Sequence, residues 1–197
     1  MTFSLGAGMA SNAHDSHFAA LMVDANTLAA ARTLLWTTVG GRGHNAAVSR
    51  ALVVACVSAW ESYIEELVRE AMALLRPVAP PLGTWPSLNA SVRGMLGRFN
   101  TPNTDQIRQL FSDSIGLIEI QQAWTWPSVT AAEAREQLRE VMEYRHQIAH
   151  GVNPRPAVDI QFVRNLPQLF LRLARCTDDR VRRHLATDLG VSDPWPE

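Results

Sequence analysis

Arg145, His146 and His150 lie within six positions of one another, and Gly151 follows at once. Histidine titrates near neutral pH and can accept or donate a proton. Arginine supplies a permanent, forked cation that matches phosphate oxygens. Together they suit cleavage of RNA without a metal. The 2′-hydroxyl must lose its proton to attack the adjacent phosphate. The phosphorane gains charge and must be stabilised. The 5′-oxygen must be protonated to leave. Only RNA carries the attacking hydroxyl, so this chemistry selects RNA over DNA. The chain has no Ser–His–Asp pattern, Gly-rich phosphate loop or HExxH motif. His146 and His150 have a metal-ligand spacing, but Glu143 is the one further donor nearby. No metal and no cofactor are expected.

A helix must position these groups. Thr130 with Glu133 three residues on reads as a capping box, and Gly151 is the usual left-handed stop. At about 100° per residue, Leu138, Val141, Met142, Ile148 and Ala149 share one apolar arc. Arg145 falls in the middle of it. A guanidinium on a core stripe needs a partner or a ligand. His150 ends the helix, where the partial negative charge of the last turn favours a protonated imidazole. Arg145 and His150 are roughly 140° apart around an ideal helix, whereas His146 and His150 share a face. Arg145 and His150 converge if the last turn distorts, or if two copies of the motif meet across a two-fold axis. Glu61 is a second charge on an apolar stripe, with Val54, Val57, Ile64 and Val68, and is a candidate partner for Arg145.

The remaining elements are also helical. A first helix is expected from Asp15 to Trp36, with Phe18, Leu21, Met22, Leu28, Leu34 and Leu35 as its apolar set. Gly40, Gly41 and Gly43 break it, and Asn45 reads as the next N-cap. Ala46 to Leu75 is a long helix. Its middle, Ala51–Trp60, is apolar all round and should be buried at the centre of a bundle. Glu65 and Arg69 form an exposed i,i+4 pair. A proline-rich loop spans Arg76–Pro86. A short helix follows at Leu88–Phe99, then a helix from Asp105 to about Trp124 that bends at Gly116. The tryptophans at 85, 124, 126 and 195 could stack bases, but they are read as core or corner packing. After a loop at Val152–Pro156, the last helical segment runs from Ala157 to Leu189, kinked or split at Pro167. The expected class is all-α, with a long buried central helix. Residues 1–11 are expected to be disordered, 12–190 to form a single helical domain, and 191–197 a frayed tail.

Composition narrows the class further. The formal net charge is −1, so RNA binding must come from a local patch. All 18 basic residues are arginine. Seven of them fall between Arg155 and His184, against three aspartates, making this the best candidate strip for a phosphate backbone. Cys56 and Cys176 have no spaced partner, which fits buried thiols in a reducing cytoplasm. The apolar run Ala51–Trp60 is too short to span a membrane, and the N-terminus lacks a signal peptide's basic start and apolar run. A cytoplasmic protein with no membrane partner is expected.

Arg145-His146-Gln147-Ile148-Ala149-His150 resembles the Arg-[Asn/Asp/His]-x-x-x-His signature of HEPN ribonucleases. Ser58–Glu65 and the segment from Ile107 through Leu117 resemble the early buried helix and the middle segment of the RiboL-PSP-like branch. The likeness spans roughly Ser49 to Leu185. It implies an all-α bundle, a homodimer and a composite, metal-independent endoribonuclease site at the dimer interface. It also implies service as a toxin, in phage defence or in RNA processing, with an antitoxin or regulatory partner. By this likeness Arg145 and His150 are catalytic and His146 supports them. The products would carry a 2′,3′-cyclic phosphate. Some members of the family bind a nucleotide or a partner protein without cutting RNA, which is the alternative expectation.

Overall fold

The computed structural model describes residues 10–36, 41–77, 83–151 and 160–195. Six α-helices build it: α1 (Ala19–Trp36), α2 (Gly41–Leu74), α3 (Thr84–Leu96), α4 (Thr104–Ile115), α5 (Ala131–Ala149) and α6 (Ile160–Thr187). A π-helical segment, Ala13–Phe18, leads directly into α1, and a short 3-10 helix, Ile120–Ala123, follows α4. No strand occurs among the described residues, so the class is all-α, as expected.

Helix α2 is the axle. It packs against α1, α4, α5 and α6. Its Trp60 and Tyr63 rings stack at 5.6 Å, and Trp60 also meets Trp124 and Phe170 at 6.2 and 6.0 Å. These buried aromatics join α2, the segment after α4, and α6 into one core. Each contributes about 2–3 kcal/mol by leaving water. Trp124 donates to Thr177 at 2.9 Å, and Tyr63 donates to the Ala174 carbonyl at 2.8 Å. Their polar ends are thereby satisfied inside the core.

The middle of α2 is not buried on every face. Ala51, Val54 and Ser58 are open to solvent, with Val54 40% exposed. These residues recur at helical spacing, so they form one outward stripe that continues to the half-buried Glu61 and Glu65. Residue type alone suggested a fully enclosed segment; the neighbouring helices cover only part of its circumference.

Several local expectations are corrected. Asn45 is not an N-cap. It lies inside α2, 4% exposed, and its amide has no hydrogen-bond partner. The helix instead begins at Gly41, and Gly40 lies outside the described residues. Gly116 does not bend a long helix but ends α4 with φ 72°, so the expected Asp105–Trp124 helix becomes two pieces. Pro167 neither splits nor ends α6, which runs on through it. Leu34, placed with the apolar set of the first helix, is 71% exposed.

The described residues at both ends pack onto the bundle. Ser11 is buried, and its backbone N–H donates to Asp178 at 3.0 Å. Its hydroxyl donates to the same carboxylate. At the other end Trp195 is buried instead of frayed. The loop expected at Val152–Pro156 lies outside the described residues.

The helix Ala13–Leu35 is long and apolar enough to cross a bilayer by length and composition, a property the sequence reading did not recognise. Here it is a member of the bundle: Phe18, Met22 and Ala25 are in the core. Glu70 of α2 accepts the Asn12 and Ala13 backbone N–H groups at its start, at 3.1 and 3.0 Å.

Candidate functional site

Helix α5 is fixed at both ends by local chemistry. Thr130 Oγ1 accepts from the Glu133 N–H, and the Glu133 carboxylate accepts from the Thr130 N–H at 2.7 Å. This is the expected capping box. At the other end His150 is the C-cap, and Gly151 adopts φ 68° while its N–H donates to the Ile148 carbonyl at 3.1 Å. Between them Ala134, Leu138, Val141, Met142 and Tyr144 face the core. Tyr144 donates to Glu140 at 3.1 Å, and its ring lies 5.7 Å from Phe162 near the start of α6.

The sequence-derived site residues fall into two groups. His146 and His150 are exposed, and their rings lie 4.4 Å apart at an interplanar angle of 60°. Helical register places them on the face that continues from Met142, one and two turns beyond it. That face borders a cleft of about 580 Å³ between α5 and the beginning of α4, whose walls include Arg135, Arg139 and Asn103.

By helical register Arg145 sits about 100° from His146 and about 140° from His150 around α5. It is half-buried on the side of α5 facing α2, and it has no hydrogen bond or ion pair among the described residues. Glu61 of α2 is half-buried opposite it. Burial pushes the Glu61 carboxyl up from its ordinary range, Glu65 adds to that, and the Arg145 guanidinium opposes both. Arg145 and Glu61 therefore sense each other without pairing directly. Arg145 makes no hydrogen bond to either imidazole. One subunit thus carries the histidine pair and, on the same helix, a guanidinium with no hydrogen bond or ion pair among the described residues.

No group of three metal-donor side chains occurs among the described residues. The two thiols are free. Burial pushes Cys56 up to about 12, which keeps it protonated and unreactive.

The expected basic strip on α6 is partly open. Arg155 lies outside the described residues. Arg164, Arg172, Arg175 and Arg183 are exposed, and Arg182 is half-buried. Register puts Arg164, Arg175 and Arg182 within about 20° of one another. None of the α6 arginines makes an ion pair among the described residues, and Asp178 turns inward to hold Ser11. Arg172 instead lies over the Trp126 ring, 5.9 Å from its centroid.

One group of residues had no signal in the sequence. Trp85 was assigned to packing, yet it lines an open cleft together with Arg76 and Arg93. Trp85 and Arg93 lie on α3 and Arg76 in the segment beyond α2, so the spacing along one helix could not reveal the group.

The family model for RiboL-PSP-HEPN matches residues 37–182, which covers α2 through most of α6. No curated protein and no solved structure matches the chain. The helical bundle, the Arg145–His150 motif at the end of α5 and this match together identify the chain: it belongs to the RiboL-PSP-HEPN family.

Proposed function

We propose that the protein is a metal-independent endoribonuclease acting as a homodimer in the cytoplasm. The observation that carries this is Arg145: a half-buried guanidinium that makes no hydrogen bond or ion pair among the described residues, one residue from a pair of contacting, exposed imidazoles. A half-buried guanidinium whose N–H groups lack acceptors is costly unless an anion binds it. A phosphodiester is the anion that the neighbouring histidines could also process.

In this reading Arg145 holds the scissile phosphate and stabilises the phosphorane. One imidazole takes the 2′-hydroxyl proton as the 2′-oxygen attacks phosphorus. The bond from phosphorus to the 5′-oxygen then breaks, and that oxygen receives a proton from imidazolium. The products are a 2′,3′-cyclic phosphate and a free 5′-hydroxyl. His150 carries the proton transfers and His146 positions it. Glu61 keeps Arg145 oriented between α2 and α5.

Two subunits are needed because Arg145 and His150 diverge on one helix. A second copy on the open stripe of α2 would cover Val54 and bring its own imidazoles toward Arg145. Covering an exposed apolar stripe also lowers its solvation cost. The test is RNA incubated with purified protein in a chelator. Cleavage is expected, with loss of activity in Arg145→Ala and in His150→Ala while the dimer persists. Full activity in either variant refutes the assignment.

A second reading is a non-catalytic module that binds a nucleotide or partner protein. It is favoured by the angle of about 140° between Arg145 and His150 around an ideal helix. Under it, RNA stays intact in the same assay.

A further inference from the structure

The cleft between the C-terminal end of α2 and helix α3 has a volume of about 560 Å³, within the range of small-ligand sites. Its floor is apolar: Met72, Val92 and Leu96 are each buried. One wall is the half-buried Trp85 indole, and Asn89 adds an amide. Three arginines and no carboxylate complete the lining. Arg69 is already matched by Glu65 at 2.6 Å and Glu66 at 3.2 Å. Arg76 and Arg93 are not matched: both are exposed, and neither makes an ion pair among the described residues. The Arg93 side chain makes one weak bond, from Nε to the Asn89 carbonyl at 3.5 Å.

A flat apolar surface beside two uncompensated guanidinium groups fits a ligand with an aromatic ring and an anionic end. We infer that this cleft binds a nucleotide unit, its base against Trp85 and its phosphate between Arg76 and Arg93. Bases stack on indole without sequence preference, and the arginine fork grips phosphate oxygens. A purely apolar ligand would leave the two cations unused, and an inorganic anion would leave the indole and floor uncovered.

The unit can be a free mononucleotide or part of an RNA strand. The placement on α2 favours the strand. Met72, on the floor of the cleft, lies 11 residues beyond Glu61 on α2, about 16 Å along the axis and roughly 20° around it. The cleft therefore opens along the side of α2 that carries Glu61, which senses Arg145. A strand crossing the proposed cleavage site would reach it, which makes it a remote substrate subsite. That assignment to a strand rests on the ribonuclease reading; the nucleotide site itself does not.

The experiment measures binding to the full-length protein in chelator, by quenching of tryptophan emission and by anisotropy of a labelled eight-nucleotide RNA. Adenosine monophosphate and inorganic phosphate are titrated in parallel. Arg145→Ala is the background, so that cleavage cannot obscure binding. The RNA is expected to bind, and Trp85→Ala to weaken it about tenfold. The double variant R76E/R93E should weaken it further and make the salt dependence shallower by about one unit of logarithmic slope. Both exposed charge reversals should leave the circular dichroism melt unchanged, so a folding failure of the tryptophan variant does not decide the result. Binding of RNA but not of the mononucleotide assigns a strand subsite, and binding of both assigns a site for the nucleotide unit. The inference is overturned if phosphate alone competes as well as the mononucleotide, or if R76E/R93E binds RNA within twofold of its parent. Failure of cleavage with this binding intact would count against the ribonuclease reading alone.

Discussion

Arg145 is the side chain on which the chemistry turns, and its fork matters as much as its charge. Lysine in its place would keep a cation but lose the bidentate grip on two phosphate oxygens. Arg145→Lys is expected to lower the single-turnover cleavage rate by about a hundredfold or more. Quench-flow with a short labelled RNA measures this, and a rate within about threefold of the parent would mean the residue serves only as a diffuse positive charge. The type and position of Arg145, His146 and His150 could be read directly from the sequence, because a helix end and its Gly151 stop are local features. The relation of Arg145 to Glu61 could be anticipated only as a shared anomaly: two charges on apolar arcs. That they approach without pairing depends on how α2 and α5 cross. Trp85 was misjudged for the same reason. An indole looks alike in sequence whether it fills a core or walls a cleft.

The elements differ in how far their own residues determine them. Helix α5 follows its caps closely, so Thr130→Ala should cost about 1 kcal/mol of stability. Chemical denaturation at neutral pH tests this; an unchanged midpoint would mean that packing alone sets the start of α5. The helices misread from sequence are those where burial overrides the local signal. Asn45 has a capping side chain but is swallowed within α2, and Pro167 is carried inside α6 by the apolar face around it. The junction of the N-terminal segment with α6 makes a pH prediction. Burial of Asp178 pushes its carboxyl up, against the pull of the Ser11 hydrogen bonds. A carboxyl whose folded value is raised holds its proton more tightly when folded. Stability is then greatest below the unfolded value and declines as pH rises through the folded one. The difference in unfolding free energy between the parent and Asp178→Asn should therefore shift against the parent as pH rises from about 4 toward neutrality. A difference independent of pH would show that Asp178 is not perturbed by its burial.

At the scale of the whole molecule, the bundle presents surfaces that a single copy does not use. Val54 on α2 and Val23 on α1 are 40% and 61% exposed, and α1 lies outside the span matched by the family. The proposed second copy would cover such exposed apolar positions. The cleavage site is proposed to be completed by a second copy because Arg145 and His150 leave α5 in different directions. The most direct test of that claim is complementation between two inactive variants. Arg145→Ala protein and His150→Ala protein are unfolded together, refolded as a mixture and assayed on RNA in chelator. If each site takes its arginine from one subunit and its histidine from the other, heterodimers regain one intact site, and the mixture should recover about a quarter of the parent activity. If the mixture remains as inactive as its components while mass spectrometry shows heterodimers present, the shared site is contradicted.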